Sequence, residues 1–111
     1  EKFSTQDFDS LIPICKFSYP VQRSLRTAGP RVSFADPKNT FVRSQDLEPR
    51  YHDAGQYYWF KTAELLQKKS IITDNTTYTL VDERFVQDID TPEDWDQAEF
   101  KFSYLKEKGM L

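Results

Sequence analysis

The chain has 111 residues, 38% hydrophobic and 15% aromatic, with 15 Lys and Arg, 18 Asp and Glu, one histidine and a formal net charge of -3. That is enough apolar material for one small domain with a modest core, and too much for a disordered tail. Mild acidity, with no basic block longer than Lys68-Lys69, argues against a general nucleic-acid or membrane-surface role; no apolar run approaches a membrane span, and the first residues show no signal-peptide pattern.

Taken in chain order, Ile14 to Tyr19 and Val21 to Leu25 read as strands around Pro20, and RTAGPRVSF supplies a turn and a further strand, Val32 to Ala35, so a hairpin is expected here. Cys15, the only cysteine, allows no internal disulfide or cysteine metal cluster and fits a reducing cytoplasm, which is the expected location; its thiol is read as part of the core. DPKNTFVRSQDLEPRYHDAG is polar and turn-rich, the composition of a long ordered loop. Adjacent His52 and Asp53 in it read as a structural hydrogen-bonding pair. GQYYWF predicts a strand, with Tyr57, Tyr58 and Trp59 mostly in the core; Thr62 caps a short helix reaching about Lys69, and TTYTLV predicts another strand. The alternation is that of an α/β fold, yet three strands and two helices leave much of a sheet uncovered. With Gly29, Gly55 and Gly109 the only glycines, there is no Gly-rich phosphate loop.

The most informative stretch is RFVQDIDTPEDWDQAEF, Arg84–Phe100. Phe85, Val86 and Ile89 predict a short strand. Thr91 then serves as N-cap, Pro92 suits the first helical turn because its missing N–H would be unpaired there, and Asp94 completes a Thr-x-x-acid capping pattern. Trp95, Ala98, Phe102 and Leu105 recur at spacings of three and four and give one apolar stripe, which Gly109 terminates. In extended backbone, residues i and i+2 point to the same side, so Asp88 and Asp90 are expected to project together beyond the strand end, where open α/β sheets carry ligand sites. Mg²⁺ commonly takes one or two carboxylates and completes its octahedron with waters and phosphates, so the spacing fits a divalent cation and equally a solvated loop. Glu93 and Asp94 read as acids stabilised by the helix dipole. Asp-x-Asp-Thr also resembles the motif of phosphatases that use an aspartate nucleophile, but that motif opens its fold, and too few residues follow Asp88 to complete such a site.

Three segments in order, YPVQRSLR, RSQDLEPRYHDAGQYYW and VQDIDTPEDWDQAE, resemble the C-terminal half of the acylneuraminate cytidylyltransferases, most closely the branch that activates pseudaminic acid. The resemblance implies transfer of CMP from CTP to the anomeric hydroxyl of a nine-carbon acidic sugar, with Mg²⁺ and release of pyrophosphate. It also implies a Rossmann-like nucleotidyltransferase sheet, of which this chain is the C-terminal part, and a homodimer formed through a protruding β-hairpin. On that basis residues 12–36 are the hairpin and dimerisation segment, 37–56 the substrate loop and 57–111 the α/β portion with the metal motif. Asp88 and Asp90 take the metal position, Asp90 as direct ligand and Asp88 as ligand or water-mediated partner. Arg43 and Gln45 lie near the sugar, Arg23 falls in the dimer-contact segment, and Asp53, Gly55 and Gln56 stand where sialic-acid enzymes contact substrate through an Asn-Gly pair. Ala54 replaces that asparagine, which points to a sugar other than ordinary sialic acid. The family's N-terminal strand and Gly/Arg/Lys-rich nucleotide loop are absent from these residues, so the chain is expected to be a fragment that does not catalyse alone. Two classes of function follow: half of an enzyme, or a non-catalytic interaction module keeping the dimerising hairpin. Two retained carboxylates favour the first.

Overall fold

The computed structural model describes residues 7–111. In chain order its elements are β1 (Ser10–Lys16), β2 (Leu25–Ala28), β3 (Arg31–Phe34), β4 (Tyr51–Asp53), β5 (Trp59–Phe60), α1 (Thr62–Lys68), β6 (Thr76–Leu80) and α2 (Pro92–Glu107). Short 3-10 turns lie at Val21–Arg23, Pro37–Asn39, Ser44–Asp46 and Glu83–Phe85. The class is α/β with a mixed sheet. The residues form two compact units, one comprising the described residues up to Cys15 with Asp53–Leu111, the other Lys16–His52. No helix among the described residues is long and apolar enough to cross a membrane.

In the first unit β1 is the spine. SLIPICK is apolar at most positions, and Ser10 to Pro13 and Cys15 are buried, as a strand with neighbours on both edges requires. β6 runs parallel along one edge, from Ser10 opposite Thr76 to Ile14 opposite Leu80, and α1 lies in the crossover between them. On the other edge β5 pairs antiparallel, Ser10 opposite Phe60 and Leu11 opposite Trp59. Further along that edge the Ala54 N–H donates to the Pro13 carbonyl at 3.0 Å. Pro13 lies beyond the β5 pairing and enters the ladder through its carbonyl alone.

Asp9, just before β1, ties the end of α1 to the following loop. Its buried carboxylate accepts from Lys68 Nζ at 2.6 Å, Thr73 Oγ1 at 2.8 Å and Asn75 Nδ2 at 3.3 Å, and these donors hold it below the usual carboxylate range, Lys68 foremost. Beside it, Ser10 Oγ and Thr76 Oγ1 share a hydrogen bond of 2.8 Å, and each reaches the Ile71 carbonyl. The apolar centre is Cys15, Ala54 and Val86 with Val81 packed against it. Cys15 is buried as expected, and burial pushes its thiol pKa up.

Several expectations are corrected. Lys61, not Thr62, occupies the N-cap of α1, with no side-chain cap, and Lys69 ends the helix in the left-handed conformation at φ 55. Only Trp59 and Phe60 of GQYYWF are strand, and Tyr57, Tyr58 and Trp59 are exposed rather than in the core, because β1 offers this segment just two pairing positions. The strand predicted over Phe85 to Ile89 does not form. Asp82 instead caps the Glu83–Phe85 turn, taking the Arg84 N–H at 2.9 Å and its guanidinium at 2.7 Å, and Val86 turns inward to the core. The Val86 carbonyl then accepts from Lys101 Nζ at 2.5 Å instead of a neighbouring strand.

α2 begins as its sequence dictates. Thr91 is the N-cap, its hydroxyl accepts from the Asp94 N–H at 3.2 Å, and Asp94 Oδ2 accepts from the N–H of Thr91 at 2.9 Å, closing a capping box. At the other end Gly109, at φ +70, allows Gly109 N–H to reach Lys106 O and Met110 N–H to reach Leu105 O, the paired bonds of a Schellman stop.

In the second unit the strand expected over Val21 to Leu25 is replaced by the Val21–Arg23 turn, which Pro20 initiates. β2 and β3 follow as an antiparallel ladder, Leu25 opposite Phe34 to Ala28 opposite Arg31, turned at Gly29, whose φ of +58 favours glycine. The loop after β3 is ordered by side chains. Buried Asn39 donates to Gln22 O at 2.9 Å, and Gln22 donates to Glu48 O at 2.7 Å.

Candidate functional site

Asp53, Gly55, Gln56, Asp88 and Asp90 all fall in the first unit; Arg23, Arg43 and Gln45 fall in the second. Asp53, Gly55, Gln56 and Asp88 meet around a tight turn. Asp53 Oδ1 accepts from the Gly55 N–H at 2.7 Å, and Asp53 Oδ2 accepts from the Tyr58 hydroxyl at 2.5 Å. Gly55 sits at φ +69, a conformation that a side chain resists. Asp88 stands against that turn, with Oδ1 3.7 Å from where a Cβ on Gly55 would lie. Gln56 Nε2 donates to the Phe85 carbonyl at 2.8 Å, fastening the turn to the segment that leads into Asp88. Ala54 between them is buried in the Cys15 and Val86 core, so position 54 presents nothing to solvent.

Asp90 immediately precedes the helix cap. Its N–H donates to Asp94 Oδ2 at 3.0 Å, so Asp94 holds the backbone of both Asp90 and Thr91, and these bonds lower the Asp94 pKa, the Asp90 N–H first. Asp88 and Asp90 are exposed, and neither carboxylate accepts a hydrogen bond or joins an ion pair among the described residues. Tyr58 has its pKa raised, mainly by the hydrogen bond to Asp53, with the charge of Asp88 adding to it. Sequence reading missed Tyr58 as a site residue. Its link to Asp53 arises only when the turn folds back, and a tyrosine in an aromatic run carries no signal of it.

No group of three or more His, Cys, Asp or Glu placed to hold a metal ion occurs among the described residues. Mg²⁺ is also bound by one or two carboxylates completed with water and phosphate oxygens, and Asp88 and Asp90 are residues of that donor type. Asp88 and Asp90 offer hard oxygens not engaged elsewhere within the described chain.

In the second unit Arg23 is used internally. One terminal nitrogen donates to Val42 O at 2.5 Å and the guanidinium lies 5.2 Å from the centre of the Phe34 ring. Exposed Arg43 spends only Nε on Asp46 Oδ2, at 3.0 Å. Gln45 lines a cavity with Ser18, Gln22, Ser44, Glu48 and Arg50. His52 packs edge-on against Phe17, ring centres 5.0 Å apart.

No protein-family model matches the chain. Proteins named pseudaminic acid cytidylyltransferase, from Campylobacter jejuni subsp. jejuni serotype O:23/36 and from serotype O:2, are each 31% identical to it, over 99% of this chain and 48% of theirs. The chain thus spans about half the length of the curated relatives it matches. The resemblance carried by three short segments therefore extends along nearly the whole chain, as similarity to the pseudaminic acid cytidylyltransferases.

Proposed function

We propose that this chain is the C-terminal part of a cytidylyltransferase that transfers CMP from CTP to a nine-carbon acidic sugar of the pseudaminic or sialic acid type, releasing pyrophosphate. The whole-chain similarity to enzymes of that name carries the reading. Asp90 holds Mg²⁺ directly, and Asp88 holds it directly or through water. When bound, the ion offsets charge on the α-phosphate and the leaving pyrophosphate. The capping box fixes the backbone on which Asp90 rides, and the Asp53 turn, fastened by Tyr58 and Gln56, backs Asp88.

The sugar is bound by Arg43 and Gln45. Arg43 keeps its two terminal nitrogens for a carboxylate while Nε engages Asp46, which suits bidentate recognition. Because Ala54 is buried, the contact that sialic-acid enzymes make through asparagine is lost, and this supports pseudaminic acid over ordinary sialic acid. The remaining nucleotide-binding residues come from the rest of a Rossmann-like domain, which the chain joins in a cytoplasmic homodimer built on the β2–β3 ladder.

The test is pyrophosphate release by the complete gene product carrying these residues, supplied with CTP, Mg²⁺ and either pseudaminic acid or N-acetylneuraminic acid. Turnover with the first sugar is expected, and Asp90→Asn should lower kcat roughly a hundredfold or more while leaving the fold intact, since the amide is nearly isosteric. Full activity in Asp90→Asn at limiting Mg²⁺ would return the carboxylates to a solvated capping loop. Absence of turnover with either sugar would leave the interaction-module reading.

A further inference from the structure

The cavity at Gln45 lies wholly within the second unit and has a frame of its own. One wall is formed by residues 16–22, which end and follow β1, and the other by residues 44–50, which contain the Ser44–Asp46 turn. The walls are tied at two points: the Phe17 N–H donates to the Arg50 carbonyl at 3.1 Å, and Gln22 Nε2 donates to the Glu48 carbonyl at 2.7 Å. Pro20 and Pro49 stiffen them further. The volume is about 340 Å³, within the range of small-molecule sites. Its lining is mixed. Phe17, Pro20, Leu47 and Pro49 are apolar, while the side-chain amide of exposed Gln45 makes no hydrogen bond among the described residues.

We propose that this cavity takes an N-acylamino substituent of the nine-carbon sugar, with Gln45 pairing with its amide and the apolar side chains enclosing its alkyl end. Such a group presents an N–H and a C=O beside a short hydrocarbon, and a glutamine amide offers the complementary acceptor and donor. A carboxylate is the poorer occupant. Arg50 already faces Glu48 at 3.7 Å, and Arg43, which does not line the cavity, keeps its terminal nitrogens for that charge. The proposal rests on the cytidylyltransferase reading, in which Arg43 and Gln45 bind the sugar, and names the part of the sugar that Gln45 reads.

The test uses the complete gene product, pseudaminic acid, and analogues in which each acylamino group in turn is replaced by hydroxyl. Loss of one such group is expected to lower kcat/KM about tenfold or more in the unaltered protein, and Gln45→Ala should abolish most of that difference. Ser44→Phe, which fills the cavity from an exposed position, should raise the KM for pseudaminic acid about tenfold and leave the KM for CTP unchanged. Circular dichroism checks that both variants fold, and Gln45→Ala alone carries the test if Ser44→Phe does not. Saturation-transfer NMR of the bound sugar should mark the acyl methyl above the ring protons, and Ser44→Phe should erase that mark. If no sugar is turned over but the methyl is marked and the mark is lost in Ser44→Phe, the transferase reading falls and the cavity stands. Turnover in which the two variants slow pseudaminic acid and every analogue equally would overturn the proposal. So would an Arg50→Gln variant that alone raises the sugar KM, since the cavity would then hold the carboxylate.

Discussion

Asp9 illustrates how much of this molecule depends on residues that look ordinary. Its neighbours in sequence, Phe8 and Ser10, say nothing about its role, yet its carboxylate gathers Lys68, Thr73 and Asn75 from the far side of the chain. Such a site is invisible in sequence because every partner lies 59 residues or more away. Asp53 and Tyr58, only five apart, were equally hidden, since their contact depends on the left-handed turn at Gly55. Cys15 was legible for the opposite reason: its residue type alone suggested a buried thiol. Asp9 also sets a pH dependence. Its native pKa lies below the ordinary 3.8, so its contribution is fully present above that value and is lost as pH falls through the native pKa. Asp9→Asn is therefore expected to be less stable than the unaltered chain at pH 7, with the difference shrinking toward pH 2 in urea titrations run across that range.

Among the elements, helix ends were read well and strand ends poorly. Thr91, Pro92, Asp94 and Gly109 act through bonds spanning three to five residues, so the local chain contains the whole instruction for α2. Strand boundaries depend on what the neighbouring strand offers. β1 gives β5 two positions and gives Phe85 to Ile89 none, and no pattern within those segments reveals it. α1 falls between these cases, its length read correctly and its cap misplaced by one residue because Thr62 already has helical backbone. Removing the Thr91 hydroxyl leaves the Asp94 N–H without its acceptor. Thr91→Ala should cost about 1 kcal/mol in thermal unfolding, and Thr91→Ser should recover most of it.

At the scale of the whole molecule, the exposed aromatics set the expected behaviour. Tyr19 is 85% exposed and Val32 of the β2–β3 ladder 62%, while Phe17 and Phe34 are half-buried within their unit. The complete protein is expected to be a homodimer that covers Tyr19 or Val32, and a monodisperse monomer by light scattering at high concentration would contradict this. The sequence suggested three strands where the described residues form six, and the parallel pairing of β6 with β1 was not legible in it, since that requires the register. β6 pairs with β1 alone among the described residues, and TTYTL carries no lysine, proline or bulge along its five positions. Strands with so little charge are the ones that proteins ordinarily cover at a sheet edge. A further strand laid beside β6 is therefore expected to slow amide exchange along Thr76–Leu80, which hydrogen–deuterium exchange of the complete protein against the 111-residue chain would measure.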